Sequence, residues 1–262
     1  MNVAGSNHML THDDDIPRVV HLTAALYGFD LRVVAAQAAL TLQRMDASGD
    51  SDTYYAIFDG AHERQTPDWD AVPDRGEAVR LLARMFTWGR AHARFAALAL
   101  AQAPVVDLAA PMLRDLLPRL ASSADHQRFA AYALISLVDG PEPNAWLDSD
   151  NPVLRAVLAQ SCPPGPDGNL SPVLALLLND RDGYVQQAAL KQASDQHPSA
   201  LEQILVRVAA APAPGWMCLS CRTANPPGRT SCVKDGCFSA GPDPSRLAAK
   251  LLADPSYDTD DG

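Results

Sequence analysis

Internal repetition is the feature that most restricts how this chain can fold. The segment HARFAALAL, His92 to Leu100, returns as HQRFAAYAL, His126 to Leu134, 34 residues later with seven of nine positions identical. A second pair, DSDNPVLRAVLAQ from Asp148 and DRDGYVQQAALKQ from Asp180, recurs after 32 residues with six of thirteen positions identical. A unit of this length with apolar residues three and four apart is a helix pair whose greasy face only the next pair can cover. The same spacing runs from Ile16 to about Ala210 in blocks separated by Pro, Gly, Asp and Asn. The clearest predicted helices are Arg32 to Met45, Glu77 to Trp88, Ala93 to Gln102, Met112 to Ala121, His126 to Val138, Pro152 to Ser161, Tyr184 to Ala193 and Leu201 to Ala209. No segment alternates with a period of two. Apolar residues make up 47% of the chain but aromatics only 6%, so Ala, Leu and Val supply a core suited to close helix packing.

The order Asp-x-Asp, two residues, Val, then Ala and Leu at helical spacing resembles the HEAT repeat family. The closest copy runs from Asp180 and Asp182 through Val185, Ala188, Ala189 and Leu190. The Asp residues are expected to cap the helix and favour its N-terminal dipole, with Val185, Ala188 and Ala189 turned to the neighbouring repeat. The Arg that the family often carries after the Val is Gln186 here. The resemblance covers about residues 90 to 210 and, less clearly, 16 to 89. Residues 46 to 76, with Tyr54, Tyr55 and HERQTPDWD, read equally as a loop-rich insertion or a degenerate repeat.

The formal charge is −10, which opposes extensive binding to a polyanion and disfavours a duplex-DNA protein. The N-terminus has no basic start followed by an apolar run, and Asp13, Asp14 and Asp15 interrupt where a signal peptide would be hydrophobic. The most apolar stretch, Phe95 to Leu113, is broken by Gln102, Pro104, Asp107 and Pro111, so no membrane span is expected. The reading is a cytoplasmic protein without a membrane segment.

The prolines of Ala211 to Gly215, APAPG, end the helical array and mark a linker. Beyond it, four of the five cysteines, Cys218, Cys221, Cys232 and Cys237, lie within twenty residues as CxxC, ten residues, then CxxxxC. Two thiolate pairs joined by a hairpin-length loop can meet at the corners of one tetrahedron around Zn²⁺. Disulfides are the competing reading, and an odd cysteine count without an export signal weighs against them. The segment is too short to bury a stabilising apolar core, so metal ligation would supply its folding free energy, on the order of 10–16 kcal/mol for structural zinc peptides. Four thiolates close the coordination sphere and leave no position for an activated water, which makes the expected zinc structural.

Trp216, Cys218, Cys221, Asn225 and Cys232 stand at the spacings W-x-C-x2-C-x3-N-x6-C, and the segment resembles the zinc finger of the Ran-binding nucleoporin type. Its last cysteine pair encloses four residues where that family has two, so the second knuckle must be wider, with a turn expected at Asp235-Gly236. The resemblance implies that Asn225 braces the loop and that Trp216 either packs on the finger or offers a stacking face. Ubiquitin-binding members carry Thr and an aromatic directly after the second cysteine; Arg222 and Thr223 stand there instead. Members that bind single-stranded RNA suggest Trp216, Asn225 and Arg229 as a ligand-binding set. Arg222, Arg229 and Lys234 balance Asp235 and a doubly negative tetrathiolate zinc, so phosphate attraction would be weak.

Cys162 reads as a half-buried apolar residue at a helix end, His92 and His126 as equivalent structural positions, and Trp69, Trp88 and Trp146 as packing anchors. Related helical repeats also form alkylpurine DNA glycosylases, but that activity needs a basic concave face, and no basic stripe is present. The sequence therefore predicts an all-α protein, a HEAT-like α-solenoid with a small C-terminal zinc finger or ribbon. Its divisions are a flexible start (1–15), the array (16–210), the linker (211–215), the finger (216–241), a short helix (242–253) capped by Asp243 or Ser245, and an acidic tail (254–262). No catalytic residue is expected. The predicted function is that of an adaptor for a protein partner, with single-stranded nucleic acid as the alternative ligand and a glycosylase as a distant third.

Overall fold

The computed structural model describes residues 16–28, 66–88, 90–120, 122–138 and 143–253. The predicted helix from Arg32 to Met45, most of the 46–76 segment, the N-terminal fifteen residues and the acidic tail lie outside these. The described chain is predominantly helical, and its only sheet is a two-stranded one. It divides into two compact units, residues 1–120 with 132–137 and residues 121–131 with 138–262. No described helix is long and apolar enough to cross a membrane.

The first unit holds α1 (Ile16–Tyr27), α2 (Arg75–Met85), α3 (Arg90–Leu100) and α4 (Val106–Arg119). Asp74 caps α2 by accepting from the Glu77 N–H at 2.8 Å. Ala93, Ala96, Ala97 and Ala99 of α3 are buried, and such small side chains allow close helix approach. Trp69 is 5% exposed and donates its indole N–H to the Ala99 carbonyl at 3.2 Å, the anchoring role expected of it. α4 begins six residues before the predicted Met112 and runs through Pro111. A proline in the second turn of a helix frees only one carbonyl, and burial of Ala109, Ala110, Leu113 and Leu117 outweighs that loss.

Helix α5 (Ala124–Leu137) contributes residues to both units. The second unit continues with α6 (Pro143–Leu147), α7 (Pro152–Gln160), α8 (Pro172–Leu177), α9 (Gly183–Gln196) and α10 (Leu201–Ala210). The strands β1 (Trp216–Met217) and β2 (Ala224–Asn225) and the helix α11 (Pro244–Ala253) complete it. The 32-residue repeat corresponds to α7 and α9, which pack against each other, and Val185, Ala188 and Ala189 are all buried. Arg155 of α7 makes a two-pronged ion pair with Asp180, both contacts 2.8 Å, with side chains only 4% and 9% exposed. At the position of α9 that matches Arg155, Gln187 accepts the Asp243 N–H at 3.0 Å, so each of these two helices holds the segment that starts a later one.

Capping departs from the predicted register at one end. Asn151, not Asp150, caps α7 by accepting from the Val153 N–H at 3.0 Å, while Asp150 pairs with Arg181 on the surface. Asp182 caps α9 as expected, accepting from the Tyr184 N–H at 2.9 Å. Asp243 caps α11, and Ser245 instead donates to the Ala211 carbonyl.

Candidate metal centre and adjoining groove

Each cysteine pair sits on a turn that its own backbone closes. β1 and β2 pair antiparallel with Trp216 opposite Asn225, which brings the first knuckle round. Within it the Cys218 N–H donates to the Thr223 carbonyl at 2.9 Å and the Arg222 N–H to the Cys218 carbonyl at 2.8 Å. Arg222 takes φ 59°, a left-handed conformation that few side-chain-bearing residues adopt. In the second knuckle, Ser231 bridges Ala240 and the Cys232 N–H donates to the Ser239 carbonyl at 3.0 Å. The two extra residues close a tight turn there, with the Cys237 N–H on the Lys234 carbonyl at 3.0 Å and Gly236 at φ 75°. The wider knuckle is thus absorbed at Asp235-Gly236.

These turns bring Cys218, Cys221, Cys232 and Cys237 together, all four sulfurs within 4.8 Å of one another. Cys218 Sγ lies 3.7 Å from Cys237 Sγ, and Cys221 Sγ lies 3.4 Å from Cys232 Sγ. A disulfide needs about 2.05 Å, so these sulfurs are not bonded to each other. Zn–S bonds of about 2.3 Å give tetrahedral edges of about 3.8 Å, so the donor set fits one metal ion. The Thr223 hydroxyl beside Cys221 pulls its thiol down to about 6, burial pushes Cys232 up to about 12, and the Ser239 hydroxyl lowers Cys237. The Lys234 N–H, 3.5 Å from Cys232 Sγ, is the kind of donor that stabilises a buried thiolate.

The residues around the cysteines divide sharply by burial. Trp216 is 3% exposed, its indole N–H on the Arg229 carbonyl at 2.8 Å, with Tyr184 edge-on at 5.6 Å between centroids. A Cβ on Gly241 would stand 2.5 Å from that indole, so backbone closes over the ring and leaves it no open face. Asn225 is 4% exposed; its Nδ2 donates to the Thr223 carbonyl at 3.0 Å and its Oδ1 accepts the Val233 N–H at 2.8 Å. Of the three residues read as a ligand-binding set, Trp216 and Asn225 are therefore internal, and Arg229 alone is exposed. Phe238, which sequence reasoning passed over, is 96% exposed, and Val233 across the same turn is 41% exposed. An aromatic directly after the fourth cysteine, beyond the last packed position, was the available signal.

The finger is pinned to α9. Asp182, which caps that helix through one oxygen, accepts the Met217 N–H of β1 through the other at 2.8 Å. The Gly183 N–H donates to the Gly215 carbonyl at 3.0 Å, and the Tyr184 hydroxyl to the Ala240 carbonyl at 2.9 Å. Burial pushes the Asp182 carboxyl above the ordinary carboxylate range, opposed by the N–H groups of Met217 and Tyr184 and by Arg155. Burial likewise pushes the Tyr184 phenol up to about 12, which keeps it a neutral donor. Tyr184 replaces the Pro152 of the preceding repeat, so a large aromatic where the repeat has proline was the sequence sign of a partner.

Beside this junction lies a groove of about 200 Å³. Pro152, Val153 and Ala156 of α7 and Ala188 of α9 line it, Leu219 from the first knuckle contributes to its wall, and Lys191 and the Arg128–Asp125 ion pair bring charge of both signs. Cys162 is buried, its carbonyl accepting from Gln192 and Gln196, and its thiol is raised by that burial. His92 is buried against Trp88, whereas His126 is half-buried, so the two equivalent histidines occupy different surroundings.

A scan against protein-family models and searches of curated proteins and of solved structures found no match to this chain.

Proposed function

We propose that this protein is a non-enzymatic adaptor of the cytoplasm, in which a HEAT-like helical surface and a structural zinc finger together recognise a protein partner. The observation that carries the reading is the closed set of four sulfurs within 4.8 Å, which offers a metal ion anchorage and leaves no open position for chemistry. Zinc is the ion that such a donor set favours, and a reducing compartment keeps the thiolates available. The cysteine, Trp and Asn spacing supports a finger related to the Ran-binding nucleoporin type.

Two surfaces support protein recognition. The groove is smaller than the roughly 300–1,000 Å³ of a typical small-molecule site and suits a docked side chain. The finger presents Phe238 and Val233 at its tip, an exposed apolar pair on a turn fixed by the metal ligands. The burial of Trp216 supports a protein partner over a base stacked on that ring.

The test is affinity purification from cytosolic extract with the full chain, its Ala156→Arg variant, which fills the groove, and its Phe238→Ser variant. A protein recovered by the wild type and lost in both variants, whose helical signal and metal content are unchanged, is the expected result. Recovery of nucleic acid alone, or of the same proteins by all three chains, overturns the reading.

A further inference from the structure

The chain carries one carboxylate that serves two modules at once. Asp182 is 7% exposed, and its two oxygens accept from different elements, Oδ1 from Tyr184 at the start of α9 and Oδ2 from Met217 beside the metal-ligating Cys218. The neighbouring backbone repeats the pattern, since the Gly183 N–H of α9 is satisfied only by Gly215 at the entrance to β1. Tyr184 adds a ring contact with Trp216 and a hydrogen bond to Ala240. A Cβ at Gly183 would meet Pro242 at 2.9 Å, so the segment leaving the finger packs on the same helix start. The first turn of α9 thus draws its partners from both ends of the finger.

The groove shares these parts. Tyr184, Gln187 and Ala188 line it from α9, and Leu219 lines it from between Cys218 and Cys221. The first-knuckle turn is two ligands and the two residues they enclose, and it has no apolar core of its own apart from Trp216, Tyr184 and the sulfurs. A finger of this size folds on its metal.

We propose that occupancy of the four-cysteine centre regulates the groove, because the finger that the metal folds supplies both the groove's Leu219 wall and the hydrogen-bond partners of the α9 N-terminus. Loss of metal frees residues 216–241, removes the Met217 N–H from the second Asp182 oxygen, loosens the Gly215 strap end that holds the Gly183 N–H, and frays the helix that lines the groove. Metal binding and partner binding are then coupled in both directions. This inference rests on the metal-binding adaptor reading.

Hydrogen exchange followed by mass spectrometry on the full chain, with and without removal of zinc by a chelator, tests it. In wild type, the amides of Gly183, Tyr184 and Gln186 are expected to exchange about tenfold faster after metal removal, together with residues 216–241, while α3 is unchanged. In Asp182→Ala the Tyr184 amide, which loses its carboxylate acceptor, already exchanges fast with the metal bound, and chelation changes it little further. Tyr184→Phe, which keeps the cap and loses only the hydroxyl contact, gives an intermediate shift if the alanine variant fails to fold. Deprotection confined to 216–241 overturns the coupling and leaves the metal centre intact. Wild type that purifies without metal overturns the adaptor's metal centre and this inference together.

Discussion

Trp216 makes the finger a packed object despite its size. Its ring lies under the Gly241 backbone and against Tyr184, and its indole N–H is spent on Arg229. Gly241→Ala forces a methyl to within 2.5 Å of the ring and is expected to lower stability by about 1–3 kcal/mol, read as a lower thermal midpoint of the metal-loaded chain. Trp216→Phe removes the pyrrole half of the indole with its N–H, leaving a cavity and an unmet Arg229 carbonyl, an expected cost of about 2–3 kcal/mol by the same measurement. The four-cysteine cluster was legible from spacing alone because metal ligation allows few arrangements, whereas Trp216 and Asn225 entered through the family resemblance and stand inside the fold. That Trp216 keeps no open face was not legible, since Tyr184 and Gly241 reach it from 32 residues before and 25 residues after.

At the scale of elements, helical periodicity located α2, α3, α5, α7, α9 and α10 to within a few residues, because each buries a continuous apolar stripe. The short helices α6 and α8, of five and six residues, escaped because fewer than two turns cannot display a period. The start of α4 was misplaced because Pro111 reads as a stop, although burial of Ala109, Ala110, Leu113 and Leu117 carries the helix through it. The contact between α7 and α9 yields a sharp prediction. Arg155→Met leaves the Asp180 carboxylate buried and unpaired and should destabilise the chain by about 3–5 kcal/mol in chemical denaturation. The double substitution Arg155→Met with Asp180→Leu removes both charges and should recover much of that loss. Equal destabilisation by the single and double variants would contradict a buried pair whose cost lies in the orphaned charge.

At the scale of the whole molecule, the helical class was written in the repeats, whereas the incorporation of the finger into the second compact unit was not. The APAPG segment reads as a spacer, yet Gly215 and Ala213 accept hydrogen bonds from Gly183 and Gly228, so it is a fixed strap. Prolines that stop a helix also pre-extend the chain, and an extended chain can be packed as readily as solvated. The fold of residues 216–241 depends on four sulfurs holding one ion, and native mass spectrometry of the purified full chain measures that directly. One zinc ion per wild-type chain, lost on Cys218→Ser, is the predicted result. A metal-free wild-type chain, or one whose mass shows Cys218, Cys221, Cys232 and Cys237 joined as disulfides, would contradict it.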